Sequence, residues 1–359
     1  MFIVLGFIVG IILIIIFKPG YTPSIKNVTV AQQQKSIAEL KKISIGNSLQ
    51  WIMIRSENID NPILVFVHGG PGTSQLTQIR NNTQPIEKYF TIVNWDQRGT
   101  GKSYSAIFDE SRMHIDQFVS DINELSEYLT KRFNKNKIIL AGHSWGSVIS
   151  MLAVSKRPEL YSAYIGISQM SNMMESEKIS YEWTLQQAKL SNDMDAIKKL
   201  VDMGIPPYQG AWRKKFMLQR RILGKYGGEY CGSKIGAFGS VIKNLVLSTE
   251  YTFVDRINFF RGIFDSVELL FPELMKINLF EQVKELKVPV WFMLGRHDFE
   301  VPSILSAQYF DYLKAPDKKL YWFENSSHLP NTEESELFNQ ILVDKILPTI
   351  KLSEGKSLG

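Results

Sequence analysis

The feature that most constrains the fold is a short segment in which an apolar strand, the pattern G-x-S-x-G and a helix follow one another. The strand spans about 137–141, the pattern occupies 142–146, and helical sequence continues to about residue 155. A turn this sharp crowds the backbone, so the flanking positions must lack bulk, and Gly142 and Gly146 meet that need. The sequence therefore predicts that the Ser144 hydroxyl is held above the edge of a sheet, beside a helix N-terminus that favours negative charge.

The rest of the chain places this segment in an α/β fold. Short runs that are almost entirely apolar recur at 63–67, 91–95 and 164–167, and residues 114–133 carry apolar side chains at helical spacing. Such strands, alternating with helices, are typical of a parallel sheet that is covered on both faces. We therefore predict a mostly parallel sheet with helices on both faces, preceded by a hairpin that turns at Gly46-Asn47-Ser48.

The alternation of strands and helices is interrupted once. From residue 171 to about 286 the sequence predicts one helix after another, and strand patterns return at 288–294 and 319–323, before a last helix from about 334 to 347. We interpret the interruption as a helical cap inserted into the α/β core. The globular part then divides into a first core segment (43–170), the cap (171–286) and a second core segment (287–350).

The first residues do not belong to the globular part. Residues Phe2 to Phe17 are apolar apart from two glycines, and Lys18-Pro19-Gly20 ends the run. No basic residue precedes the run and no A-x-A pattern follows it, so an uncleaved membrane anchor over residues 1–18 is favoured over a cleaved signal peptide. Residues 19–42 are polar and predict a linker. Because several lysines and few acids follow the run, the catalytic part is expected on the cytoplasmic side.

Composition and spacing exclude several classes of protein. The net charge of +5 is small and its residues are scattered, which argues against a nucleic-acid-binding protein. Cys231 is the single cysteine, so an internal disulfide and a cysteine-based zinc site are both excluded. No two histidines fall at a metal-ligand spacing, and we expect neither a metal nor another cofactor.

A serine hydroxyl becomes a good nucleophile when a base takes its proton, and that base is oriented by an acid. His328 follows the last predicted strand, and Asp298 follows the strand before it, with Glu300 as the near rival for the acid. The order Ser144, Asp298, His328 is the one expected of an α/β-hydrolase. We therefore predict an α/β-hydrolase fold with a helical cap and with these three residues as its catalytic triad.

The attacked carbonyl oxygen becomes negatively charged, and two backbone N–H groups can stabilise that charge. The residue after the nucleophile supplies one of them, which is Trp145 here. The loop after the third strand supplies the other. That loop has the sequence HGGPG at 68–72, and we assign the second N–H group to Gly70, because glycines let a carbonyl approach the backbone closely.

Four motifs together resemble the proline iminopeptidase branch of the α/β-hydrolases: HGGPG at 68–72, DQRGTGKS at 96–103, GHSWGS at 142–147 and GRHD at 295–298. Members of this branch are serine aminopeptidases that remove an N-terminal residue, often proline, from peptides. The resemblance covers the core and implies a cap whose carboxylates hold the free amine of the substrate. Four glutamates of the predicted cap are available, although none lies in a motif that matches the branch: Glu175, Glu177, Glu182 and Glu229.

This sequence departs from the branch at the turn, where His143 replaces the glycine before Ser144. His143 either touches the substrate or packs at the turn. Asp96 and Arg98 are expected to fix the loop beside the pocket through an ion pair or hydrogen bonds. The basic segment Trp212 to Lys225 is expected to be a solvated cap helix, and the alternative is a helix that rests on anionic lipid.

These observations together indicate a serine hydrolase that forms an acyl-enzyme. The resemblance favours an aminopeptidase of the proline iminopeptidase type acting on short peptides. An esterase or other small acyl hydrolase shares the machinery and differs in lacking a site for an ammonium group. A non-catalytic binding protein on the same fold is the third alternative. The expected partners are a small molecule or short peptide as substrate and a membrane through the N-terminal helix.

Overall fold

An eight-stranded sheet lies at the centre of the computed structural model, which describes residues 18–26, 29, 33–105, 109–231 and 236–356. The strand order is β1-β2-β4-β3-β5-β6-β7-β8. The hairpin of β1 and β2 is antiparallel and joins β4 in an antiparallel pair, whereas all the other pairs are parallel. The strands are β1 (Ile37–Ile45), β2 (Ser48–Ser56), β3 (Ile63–Val67), β4 (Thr91–Asp96), β5 (Ile138–His143), β6 (Tyr161–Ile167), β7 (Val290–Gly295) and β8 (Lys318–Phe323).

Both faces of the central strands are buried. Leu64 and Phe66 of β3 belong to one apolar cluster, and Val65 and Val67 of the same strand belong to another. Successive side chains of a strand point to opposite faces, so a strand that is covered on both sides must be apolar throughout. This is the physical reason for the uninterrupted apolar runs in the sequence, and the predicted fold class is confirmed.

Helices cover the sheet and build the cap. In the core these are α1 (Leu76–Thr83), α2 (Ile115–Phe133), α3 (Trp145–Lys156), α10 (Ser303–Tyr312), α11 (Pro330–Glu333), α12 (Ser335–Ile341) and α13 (Leu347–Lys356). The cap, between β6 and β7, holds α4 (Met173–Leu190), α5 (Met194–Met203), α6 (Trp212–Lys225), α7 (Gly236–Val246), α8 (Phe253–Leu274) and α9 (Leu279–Gln282). The cap residues that the structure describes contain no strand of the sheet, in agreement with the helical pattern of the sequence.

The structure differs from the predicted boundaries at two places. Strand β1 begins at Ile37, inside the segment 19–42 that the sequence predicts as a linker. It is an edge strand with one neighbour, so its residues are mostly half-buried and their polarity conceals the strand. The last predicted helix, 334–347, is divided by a π-helical segment at Leu342–Ile346.

The predicted membrane anchor depends on residues 1–17, which lie outside the described residues. No helix within the described ranges combines the length and the apolar character needed to cross a membrane.

Candidate active site

Ser144 lies at the turn between β5 and α3, where the backbone has a φ of 53° and a ψ of −121°. A Cβ atom on Gly142 would lie 2.5 Å from the carbonyl oxygen of Gly146, and a Cβ atom on Gly146 would lie 2.2 Å from the carbonyl oxygen of Val67. Neither space admits a methyl group. The two glycines of the pattern therefore let the strand and the helix approach closely enough to form the turn.

Asp298 and His328 meet at the carboxyl ends of β7 and β8. The Oδ2 atom of Asp298 lies 2.9 Å from Nδ1 of His328, and its Oδ1 atom accepts a hydrogen bond of 2.9 Å from the Val301 N–H. Glu300 lies at the other ring nitrogen, with Oε2 3.9 Å from Nε2 of His328. Asp298 rather than Glu300 is therefore placed to orient the imidazole.

The loop that carries His328 packs directly on the turn that carries Ser144. Nε2 of His143 lies 2.8 Å from the carbonyl oxygen of His328, and the two imidazole rings are 4.9 Å apart. Within the described part of the chain, the Ser144 hydroxyl makes no hydrogen bond, either to α3 or to His328. Catalytic hydrogen bonds of this kind are often long in the free enzyme and shorten when the substrate binds.

His143 is a packed residue of the turn. Burial lowers its pKa to about 3, with a further contribution from the nearby His328, so the ring is neutral at physiological pH. Its Nε2–H group then donates to the His328 carbonyl oxygen, which also accepts a hydrogen bond of 3.0 Å from the Ser168 hydroxyl. Of the two roles considered for His143, the structure shows the packing one, and it holds the His328 backbone.

The HGGPG loop passes next to Ser144. A Cβ atom on Gly69 would lie 3.1 Å from Cβ of Ser144, and Gly70 has a φ of 118° that favours glycine. Trp145 is buried at the start of α3. The two segments from which oxyanion donors are predicted, at Gly70 and at Trp145, thus both lie next to the serine.

Gln97 connects these two segments, and sequence reasoning missed it. Its Oε1 atom accepts a hydrogen bond of 2.9 Å from the indole N–H of Trp145, and its Nε2 atom donates to the carbonyl oxygen of His68 at 2.8 Å. The only signal in the sequence is an amide between Asp96 and Arg98 directly after a buried strand. Gln97 fixes the distance between the HGGPG loop and α3.

Asp96 and Arg98 hold the loop that follows β4 through separate contacts. Arg98 forms two hydrogen bonds with the buried Asp121, at 2.6 and 2.8 Å. Asp96 accepts hydrogen bonds from the Ser74 hydroxyl and from the Lys102 N–H. Burial raises the pKa of Asp96 to about 7 in spite of these bonds.

Two glutamates, Glu300 and Glu229, lie near the imidazole of His328, and one arginine contacts both Glu300 and a third glutamate, Glu177. Nε of Arg220 lies 3.8 Å from Oε1 of Glu300, and the Arg220 guanidinium also pairs with the buried Glu177. The backbone carbonyl oxygen of Glu229 accepts a hydrogen bond of 3.1 Å from the backbone N–H of His328. The carboxylate of Glu229 accepts no hydrogen bond from the described residues. Burial raises its pKa to about 8, and the charge of Glu300 adds to the effect.

These carboxylates also act on the imidazole. Burial by itself lowers the pKa of His328, but the charges of Asp298 and Glu300 and the hydrogen bond to Asp298 outweigh it and raise the pKa to about 9. In the free protein the imidazole is therefore mostly protonated at pH 7. It can accept a proton from a serine only after it has lost its own.

The basic helix α6 does not have the uniformly solvated side chains that its sequence suggests. Arg220 is largely shielded from water beside Glu177, Arg213 pairs with Glu268 at 2.7 Å, and Lys225 pairs with Asp193. Of the four candidate glutamates in the cap, Glu229 lies near His328 and Glu177 pairs with Arg220. Glu182 is exposed, and Glu175 pairs with Lys178 at 3.6 Å.

Comparison with known proteins gives the family. The sequence profile of the alpha/beta hydrolase fold matches residues 62–201. The probable aminopeptidase YbaC of Bacillus subtilis strain 168 is 35% identical to this chain over 314 residues, which are 86% of this chain and 96% of that protein. The chain belongs to the α/β-hydrolase family. A proline iminopeptidase of Heyndrickxia coagulans is 22% identical over 298 residues, which are 80% of this hydrolase and 91% of that protein.

Solved structures agree with the fold of this hydrolase. A proline iminopeptidase-related protein from Thermus thermophilus has a TM-score of 0.61 at 16% identity, covering 87% of this chain and 99% of that one. A membrane phospholipase A has a TM-score of 0.57 at 17% identity, covering 88% of this chain and 87% of that one. The described residues of the hydrolase contain no group of three or more His, Cys, Asp or Glu side chains arranged to hold a metal ion.

Proposed function

We propose that this α/β-hydrolase is a serine aminopeptidase that removes the N-terminal residue of short peptides. The observation that carries the proposal is the carboxylate of Glu229, which lies near the catalytic imidazole without a hydrogen-bond partner among the described residues and beside a second acid, Glu300. Glu229 is half-buried, and a carboxylate that is partly removed from water and has no partner is stabilised when a cation reaches it. The free α-ammonium group of a peptide is such a cation. The names of the relatives, probable aminopeptidase and proline iminopeptidase, support the same activity.

The chemistry follows from the arrangement of the site. The oxygen of Ser144 attacks the first peptide carbonyl while Nε2 of His328 takes the serine proton. The N–H groups of Gly70 and Trp145 stabilise the negative oxygen of the tetrahedral intermediate. The proton then passes from His328 to the departing amine, which leaves the aminoacyl group on Ser144. Water, activated by the same imidazole, hydrolyses this ester and restores the serine.

Replacing Glu229 by glutamine tests the ammonium site. Removing one charged partner of the ammonium group is expected to lower kcat/KM for alanyl- and prolyl-naphthylamides by about 10- to 100-fold, the range of a charge-assisted hydrogen bond. Hydrolysis of p-nitrophenyl acetate, which has no amine, is expected to change less than about threefold. Initial rates with both substrate classes measure the difference.

The matched control is Glu182→Gln, which removes an exposed glutamate of the same cap and is expected to leave both rates unchanged. Equal losses with the amide and the ester in Glu229→Gln would contradict an ammonium site. If the wild-type protein cleaves only esters, or cleaves N-acetylated amides as readily as free ones, the esterase alternative replaces the aminopeptidase.

The same carboxylates predict a difference in pH dependence between the two substrate classes. An ammonium group bound beside Glu229 and Glu300 adds positive charge near His328, which lowers the pKa of the imidazole from its value of about 9 in the free protein. The imidazole is active when neutral, so kcat rises as the pH passes upward through this pKa. We expect the rising limb of kcat for an aminoacyl amide to lie about 1 pH unit below that for an ester without an amine. Coincident limbs would show that the ammonium group binds elsewhere.

We also propose, from the sequence, that residues 2–17 anchor the hydrolase in a membrane. The support is the apolar run itself, with no basic residue before it and no cleavage pattern after it. The position of the catalytic part on the cytoplasmic side is supported by the lysines that follow the run.

A further inference from the structure

Seven large apolar side chains are exposed within a short part of the cap. They lie at the end of α7 and along α8, and we refer to them as the cap stripe: Val246, Leu247, Phe253, Val254, Ile257, Phe260 and Phe264. Among the described residues of this chain, 19 large hydrophobic side chains are exposed, so more than a third of them lie between residues 246 and 264. Scattered exposed hydrophobic residues are normal, but a contiguous group marks a contact surface.

The spacing of four residues of the cap stripe places them on one face of α8. Phe253, Ile257, Phe260 and Phe264 follow at intervals of four, three and four residues, which places them one above another on a helix. The opposite face carries the buried Phe259 and Gly262 and packs on the core, where Gly262 lies against the loops at Gly72 and Gly99. Helix α8 therefore has two apolar faces, and the described core covers only one.

The start of the described chain is attached beside the cap stripe. The Tyr21 N–H donates a hydrogen bond of 2.9 Å to the carbonyl oxygen of Thr249, in the connection between α7 and α8. Arg55 holds the next residue through a hydrogen bond of 2.8 Å to the Thr22 hydroxyl. Residues 2–17, the predicted anchor, therefore precede a segment that is fixed between the two parts of the cap stripe.

The charges around the cap stripe favour an anionic surface. Lys18, Lys243 and Arg261 are exposed. Of the four acids of α8, Asp255 and Glu268 pair with cations, Lys102 and Arg213. The other two accept hydrogen bonds from neutral donors of the core, Asp265 from the Tyr104 hydroxyl and Glu273 from the Ile115 N–H. An apolar helix face with basic residues beside it is the pattern of a helix that lies in a membrane interface.

We propose that the cap stripe rests in the surface of a phospholipid bilayer, beside the point where residues 2–17 enter it. The apolar side chains lie at the boundary between headgroups and acyl chains, and Lys18, Lys243 and Arg261 face the phosphates. The proposal rests on the proposed anchor and is independent of the aminopeptidase activity. Because the other face of α8 contacts the loops beside Ser144, the cap over the active site is held at the membrane surface.

The test uses the full chain, reconstituted into vesicles of phosphatidylcholine and phosphatidylglycerol. A polarity-sensitive fluorophore is attached at Phe264→Cys or, as the matched control, at Ile304→Cys, both in a Cys231→Ser background. The native side chains at these positions are 56% and 57% exposed, respectively, but Ile304 lies on α10 of the core. An unchanged thermal unfolding midpoint shows that each labelled protein is folded. The measurements are flotation with the vesicles, quenching by lipids that carry a shallow nitroxide, and quenching by aqueous iodide.

The expected result is that the protein floats with the vesicles and that nitroxide lipids quench the label at 264 at least twofold more than the label at 304, with iodide giving the reverse order. Three results would overturn the proposal. If the protein does not float with the vesicles, residues 2–17 do not anchor it, and the proposal loses its basis. Equal iodide quenching at both positions shows that nothing covers the stripe. A label at 264 shielded from both quenchers shows a protein cover, which is a second copy if dilution exposes the label and residues 2–17 if it does not.

Discussion

Replacing Ser144 by alanine is expected to lower kcat for every substrate by about 10⁴-fold or more, while the thermal unfolding midpoint changes little. The hydroxyl is the atom that forms the acyl-enzyme, so without it only the binding and the oxyanion groups remain. The serine occupies a positive φ of 53° between two close-packed glycines, and alanine has the same Cβ atom, so the turn is retained. Steady-state kinetics with an aminoacyl amide and an ester, together with thermal unfolding, measure both effects.

Ser150→Ala is the matched control for this substitution. Ser150 lies on the same helix, is buried, and its hydroxyl has no hydrogen-bond partner among the described residues. Its removal is expected to leave kcat within about twofold of the wild-type value. Substantial turnover by Ser144→Ala, or labelling of that variant by a serine-directed fluorophosphonate at the wild-type rate, would show that another residue is the nucleophile.

Replacing Asp298 by asparagine is expected to lower kcat by about 10³- to 10⁴-fold. The carboxylate lies 2.9 Å from Nδ1 of His328, so it keeps the proton on that nitrogen and leaves Nε2 free to act as the base. An amide at the same place can donate its own N–H to Nδ1, which moves the ring proton to Nε2 and blocks the base. The loss should appear in kcat with both amides and esters, because both reactions need the same base.

The substitution Glu300→Gln tests which of the two candidate acids, Asp298 or Glu300, orients the imidazole of His328. Glu300 lies at the Nε2 side of the ring at 3.9 Å, where it raises the pKa of His328 without fixing the tautomer. Its removal is therefore expected to move the rising limb of the ester pH profile to lower pH and to change kcat at the optimum by less than about tenfold. If Glu300→Gln rather than Asp298→Asn causes the large loss in ester turnover, the orienting acid has been assigned to the wrong residue.

The core of the fold could be predicted because its signals are local. A strand that is buried on both faces must be apolar, and the turn at Ser144 tolerates only glycine at two positions. Both features can therefore be recognised from consecutive residues in the sequence. The same holds for the helix at Ile115–Phe133, whose one buried face repeats at helical spacing. The start of β1 could not be predicted in this way, because an edge strand is only half-covered and its residues need not be apolar.

The surroundings of His328 depend on contacts between residues that are far apart along the chain. Arg220 belongs to a run of basic residues that indicates a solvated helix, yet it is largely shielded from water, against Glu177 of another helix and near Glu300 of a core loop. Gln97 carries no motif of its own, and its role exists only because Trp145 and His68 both come within reach of one amide. Neither arrangement has a period or a spacing that a sequence could display.

The sequence by itself determined the α/β core and the glycine turn and predicted Ser144, Asp298 and His328 as nucleophile, acid and base, since each follows from the residues of one strand, one turn or one loop. Only the tertiary structure decided that Asp298 rather than Glu300 contacts Nδ1 of His328 and that Glu229, of the four glutamates of the cap, lies near the imidazole. It also decided that the apolar face of α8 lies beside the segment that follows residues 2–17. The physical reason is that burial and charge are properties of a position in space. They are set by which elements pack together, and neighbouring residues in the sequence can have opposite environments.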